Sequence, residues 1–138
     1  MKFPRALADE MQAHARRGYP YEVCGVLVGS DGAVAEVVAV ENRETEQPRV
    51  RYQIAPEDLI RVQRESRGRD REILGYYHSH PDHPARPSET DRRIAAGGLS
   101  DGVVHVVVGV QGGTETLATA WVFRDADQAF AEEPFEIV

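Results

Sequence analysis

Two apolar runs that double back on themselves constrain this chain more than any other feature. Val23-Cys24-Gly25-Val26-Leu27-Val28-Gly29 is a continuous apolar run of strand length, and Asp31-Gly32 then turns the chain into the apolar-rich residues 34–40. Asp-Gly between such runs is hairpin chemistry, because both central positions of the tight turn need positive φ. Residues 103–110 and 115–123 repeat the arrangement across Gln111-Gly112-Gly113-Thr114. Hairpins are antiparallel, so a sheet containing two of them cannot be of the all-parallel kind.

Helical patterns lie before and between the hairpins. Over residues 4–17, Leu7, Met11 and Ala15 follow the helical period, Pro4 suits a first turn and Gly18 a stop. Val50, Tyr52 and Ile54 alternate as in a half-buried strand. Pro56-Glu57-Asp58 then opens a helix carrying Leu59, Ile60 and Val62, ended by Gly68. Residues 73–80 read as a core strand, whereas 81–87 hold three prolines in seven residues and form an irregular loop. Ser88 starts a short helix that Gly97-Gly98 stops. The acidic segment 125–136 reads as a surface connection, and 135–138 as a closing edge strand. The expectation is an α+β chain: a mixed, largely antiparallel sheet flanked by helices. At 138 residues it forms one domain spanning 1–138.

Composition removes several classes. A formal charge of -7 argues against a nucleic-acid binder, whose affinity comes mainly from Lys and Arg on phosphates. Arg61, Arg64, Arg67, Arg69 and Arg71 form the only basic cluster, and Glu65, Asp70 and Glu72 interrupt it, as on a solvated, ion-paired face. No apolar run reaches the roughly 18 residues of a membrane helix, and no signal-peptide core follows Met1, so the expected location is cytoplasmic. Cys24, the one cysteine, cannot form an internal disulfide, and among Val23, Gly25 and Val26 it reads as a small buried hydrophobe.

The chemistry concentrates in Tyr77-His78-Ser79-His80, followed after ten residues by Asp91. Residues i and i+2 of a strand share a face roughly 6.6 Å apart, so His78 and His80 can converge on one ion while Ser79 points away. Two imidazoles and a carboxylate form the protein half of a catalytic zinc site. The same residues admit structural explanations: half-exposed histidines, and an N-cap at Ser88 with Asp91 as its acidic third helical residue. His83 is a competing ligand inside the proline loop, and His14 and His105 are assigned no function.

His78-x-His80, ten residues, then Asp91, with Ser88 three before it, resembles the signature of the JAMM (MPN+) metalloproteases. The segment from Tyr19-Pro20-Tyr21-Glu22 into Val23-Cys24-Gly25 resembles the family's early glutamate-bearing strand, and Asn42, residues 52–58 and Trp121-Val122-Phe123 extend the likeness over nearly the whole chain. The resemblance implies an MPN/JAMM-like, cytidine-deaminase-like fold and one Zn2+ per chain on His78, His80 and Asp91. It also implies Glu22 as general base and Ser88 as oxyanion donor. Spacing alone does not single out Glu22 among fourteen glutamates. The small stand-alone bacterial members it is similar to act on ubiquitin-like sulfur-carrier proteins, implying hydrolysis after a C-terminal Gly-Gly, with the tail added to a strand edge beside the metal. A homodimer is left open. The competing readings are a non-catalytic MPN interaction module and a DNA-repair-associated JAMM-fold protein.

Overall fold

Asp31 and Gly32 both take positive φ, 53° and 74°. In the computed structural model of residues 1–138, they join β2 (Cys24–Ser30) to β3 (Ala33–Val40) as an antiparallel hairpin. Gly112 and Gly113, also at positive φ, do the same for β5 (Val104–Gln111) and β6 (Glu115–Arg124). Between the hairpins lies β4 (Glu72–Pro81), antiparallel to β2 and parallel to β5. Parallel neighbours need a crossover, and the connection from β4 to β5 carries α3 (Glu89–Ala96). Two earlier helices, α1 (Arg5–Gly18) and α2 (Pro56–Arg67), precede β2 and β4.

The sheet has eight strands. They include β1 (Lys2–Phe3), β7 (Ala129–Glu133) and β8 (Glu136–Ile137), in the order β7-β6-β5-β4-β2-β3-β1-β8. It is mixed, with four antiparallel and three parallel pairings. The expected α+β architecture is therefore what forms.

Two local expectations are corrected. Residues 50–54 form no strand: Val50 and Arg51 sit in a turn on the Gln47 carbonyl, and Val50 is exposed. The alternation there reports Tyr52 and Ile54 packing onto the core rather than ladder pairing. The segment 125–136 contains β7, because Phe130 packs edge-on against Phe123 and His105 and draws the chain onto β6. The outer strands of the sheet are β7 and β8; β2 pairs with β4 only as far as Cys24 opposite His78, so at His80 and Pro81 β4 is laddered to β5 alone.

Each face of the sheet has its own core. Under α1, Met11, Ala8 and Ala15 pack with Phe3, Leu27, Tyr77, Val106 and Val108. Under α2, Val62 packs with Cys24, Val26, Val28 and Val40. Fully burying each large aliphatic side chain contributes about 1.5–3 kcal/mol. Gly25 is required where β2 crosses Tyr77, since a Cβ there would collide with the phenol ring. The cationic cluster pairs outside its own run: Arg61 with Asp58, and Arg69 and Arg71 with Glu36.

Candidate metal centre

The buried end of β4 carries His78 and His80, and their side chains meet that of Asp91 from the first turn of α3. The two Nε2 atoms lie 3.1 Å apart, and each is 3.2 Å from Asp91 Oδ2. Two neutral imidazole lone pairs do not approach so closely without a shared proton or cation. A tetrahedral ion with bonds of about 2.0–2.1 Å spaces its ligand atoms by about 3.3–3.4 Å, so this triangle fits one within a few tenths of an ångström. Glu22 Oε, His78 and His80 also place ligand atoms within 4.8 Å of one another. Glu22 Oε1 is buried without a hydrogen-bond partner, as a group awaiting a water, substrate or ion would be.

Each ligand is oriented by something beyond the triangle. His80 Nδ1–H donates to the Pro84 carbonyl at 2.9 Å, which fixes the tautomer and leaves the Nε2 lone pair facing the site. The Tyr52 ring stacks on His78, centroids 4.4 Å apart and planes 19° from parallel. Asp91 belongs to a capping box: Ser88 N–H donates to Asp91 Oδ2 at 2.8 Å, and Asp91 N–H donates to Ser88 Oγ at 3.0 Å. The structural and ligating explanations of Ser88 and Asp91 thus coexist. The Ser88 hydroxyl acts there as acceptor, and its proton is free to donate.

Glu22 stands two residues before β2, opposite His80 in the continued β2–β4 register. Its backbone N–H donates to the Pro48 carbonyl. Asn42 Nδ2 donates to the carbonyls of Glu22 and Arg51, and Asn42 Oδ1 accepts from Glu44 and Gln53 N–H, so one amide with four partners ties Glu22 to the covering segment. Ser79, facing away from the triangle, accepts from Val23 N–H at 2.9 Å and locks the register of the strand start against β4. Thr119 donates to the Ala85 carbonyl and accepts from the Trp121 indole N–H, anchoring the proline loop.

The electrostatics follow from burial. Burial pushes the Glu22 carboxyl up to about 8; Asp91 adds to the effect and His80 opposes it. His78 is lowered by burial, against the pull of Asp91. Burial acts the same way on His80, but Asp91, the Pro84 carbonyl and Glu22 outweigh it and raise this imidazole. Asp91 is buried too, yet the two histidines and the Ser88 N–H hold it far below the ordinary carboxylate range.

The structure brings Glu22, His78, His80, Ser88 and Asp91 to one place. His83 lies exposed in the loop, outside the convergent group. Cys24 is fully buried, and burial pushes its thiol up to about 12, as expected of a small hydrophobe rather than a nucleophile. Ser79 and Tyr52 are the positioning residues that sequence reasoning missed. A small hydroxyl residue set between two histidines in a core strand was the available signal for Ser79.

Residues 4–124 match the profile described as prokaryotic homologs of the JAB domain. The chain belongs to the JAB (JAMM/MPN) family. Among curated relatives, this JAB chain is 30% identical to the CysO-cysteine peptidase of Mycobacterium tuberculosis over 132 residues, 96% of this chain and 87% of that protein. It is 36% identical to the desampylase of Haloferax volcanii over 93 residues, 64% of this chain and 67% of that one. A protein of Desulfitobacterium hafniense solved in solution superposes on the JAB chain with a TM-score of 0.86 at 26% identity, covering 99% of this chain and 92% of that one. No helix of the chain is long and apolar enough to cross a membrane.

Proposed function

We propose that this chain is a zinc-dependent peptidase that hydrolyses the bond after the C-terminal Gly-Gly of a ubiquitin-like sulfur-carrier protein or its adduct. Its single domain, 1–138, acts in the cytoplasm. The observation that carries the reading is the His78–His80–Asp91 triangle with the unpartnered buried oxygen of Glu22 beside it. The names of the two relatives agree with it, since each denotes an enzyme that removes something from a partner protein or conjugate.

His78, His80 and Asp91 hold the ion. Zinc bound there supplies a Lewis acid for the scissile carbonyl and lowers the pKa of an attacking water. Glu22 accepts a proton from that water and returns it to the leaving amine, so the C–N bond breaks as water's oxygen joins the carbonyl carbon. Ser88 donates its free hydroxyl proton to the developing oxyanion. The proline loop packs on β5 with Ala85 against Gly109, and its Pro84, Arg86 and Pro87 border the cleft beside Glu22 and His80, where a slim chain is accommodated most readily. Gly-Gly is such a chain. Such a tail lies alongside the last residues of β4, where the pairing with β2 has ended.

A silent interaction module would have no need of three mutually oriented ligands, and each one here has a second contact that fixes it. The test is mass spectrometry of a small β-grasp carrier ending Gly-Gly-Ala, incubated with zinc-loaded protein. Loss of the terminal residue and a new Gly-Gly end are expected. An intact carrier in the presence of protein with stoichiometric zinc would overturn the proposal.

A further inference from the structure

Two depressions meet at the metal centre, and they differ in chemistry. One, of about 700 Å³, is the more apolar, with Tyr52, Ile54, Leu59, Tyr76, Ile94 and Leu99 in its walls beside charged residues such as Arg51 and Arg93. The other, of about 350 Å³, contains Glu22, His80 and Ser88 together with Arg51, His83 and Arg86, and Val50 is its one hydrophobic residue. Arg51 and Thr90 border both, so the two form one path past Asp91.

Under the peptidase reading above, on which this inference rests, Glu22 returns the proton to the leaving amine. Glu22 lines the polar cleft and not the apolar groove, so the leaving group occupies the polar cleft. That cleft is cationic in a chain of formal charge -7. Neither the Arg51 nor the Arg86 guanidinium has an ion-pair or hydrogen-bond partner. Six of the other thirteen arginines, Arg43, Arg61, Arg69, Arg71, Arg92 and Arg93, pair with carboxylates. A guanidinium presents a rigid fork of donors matched to a carboxylate.

We infer that Arg51 and Arg86 are specificity residues that read the free α-carboxylate of a leaving amino acid. The chain therefore removes a single C-terminal residue in preference to breaking an isopeptide bond. A lysine within a polypeptide, released from an isopeptide, brings amide backbone to the same place and no carboxylate for the two arginines to bind.

The test compares three substrates of zinc-loaded protein: a carrier ending Gly-Gly-Ala as the free acid, the same carrier as the C-terminal amide, and the carrier joined to a peptide lysine. Charge-assisted recognition predicts kcat/KM for the acid about ten- to a hundredfold above the other two. The double variant Arg51→Ala/Arg86→Ala should slow the acid alone and bring the acid-to-amide ratio near unity. A binding measurement gives a readout that does not depend on turnover: Glu22→Gln protein titrated with Gly-Gly-Ala acid and amide peptides should bind the acid more tightly, and lose that difference when both arginines are replaced. Equal wild-type rates on acid and amide, or an equal loss on both in the double variant, overturns the inference while leaving the peptidase reading standing. Failure to cleave any of the three substrates overturns the peptidase reading and this inference with it.

Discussion

On the sheet face covered by α1, twelve buried side chains pack into one cluster. The face under α2 has five and then gives way to Tyr52, His78, His80 and Asp91. Order on the first face comes from hydrocarbon burial, which is non-directional and tolerant of local change. Around the site it comes from directed contacts: four hydrogen bonds on Asn42, the Ser79 bond to Val23, and the paired bonds of Ser88 and Asp91. Two of the buried polar atoms without a partner, Glu22 Oε1 and His78 Nδ1, lie where the core is thinnest. Substitutions on the two faces should therefore fail in different ways.

The sharpest separation is expected from the ligands. His78→Ala, His80→Ala or Asp91→Ala should each abolish stoichiometric zinc, read by metal analysis of protein purified without added zinc, and remove turnover with it. Full occupancy in all three would dissolve the site. Next comes Glu22→Gln, which keeps the shape and loses the proton acceptor. Turnover should fall roughly 10²–10⁴-fold with zinc retained, and thermal stability should not drop, because a buried and unpartnered acid is removed.

Met11→Ala tests the opposite face. Emptying a fully buried position there should cost about 2–5 kcal/mol in denaturant unfolding and leave zinc stoichiometry unchanged. A loss of metal in this variant would mean that the two faces are coupled.

His105 lies between the two regions, beside Tyr76 and Phe130, with Nε2 unpartnered. Burial, aided by His78, lowers its pKa to about 4, below the ordinary 6.5. A base depressed in the folded state binds its proton more readily when unfolded, so it leaves stability untouched above about pH 6.5. Stability should fall as pH drops from about 6.5 to 4, by about 3 kcal/mol when complete. His105→Leu should remove that part of the acid slope, and an unchanged slope would show that His105 takes up its proton equally in the folded and unfolded states. The smallest effect is Ser88→Ala, about 1 kcal/mol of cap stability. If turnover falls well beyond what the stability loss accounts for, the hydroxyl acts on substrate; unchanged turnover would reduce it to a cap.

The same contrast explains what could be read from the sequence. Both hairpins, α1, α2, α3 and the core strand β4 are written in local apolar period and turn residues. The His78, His80 and Asp91 set is written in spacing. Neither β1 nor β7 is legible in this way. A two-residue strand has no period, and β7 is held by Phe130 meeting Phe123 and His105 across the sheet. Val50, Tyr52 and Ile54 imitate a strand because burial alone produces alternation. Glu22 is placed by Asn42, Pro48 and Ser79, partners twenty to more than fifty residues away, so no local pattern marks it. Its position came from family likeness instead.

The carboxylate oxygen of Asp91 that faces the two histidines is also the oxygen that closes the first turn of α3. One arm of the chelate is thus immobilised during folding, before any ion arrives, and the entropy of fixing it is not charged to metal capture. An arriving cation meets a preset claw and not three wandering side chains. Backbone amides at the start of α3 should accordingly show similar hydrogen-exchange protection with and without metal. Release of the ion, by contrast, needs no unwinding of the helix, so a chelator should strip the site while leaving α3 folded.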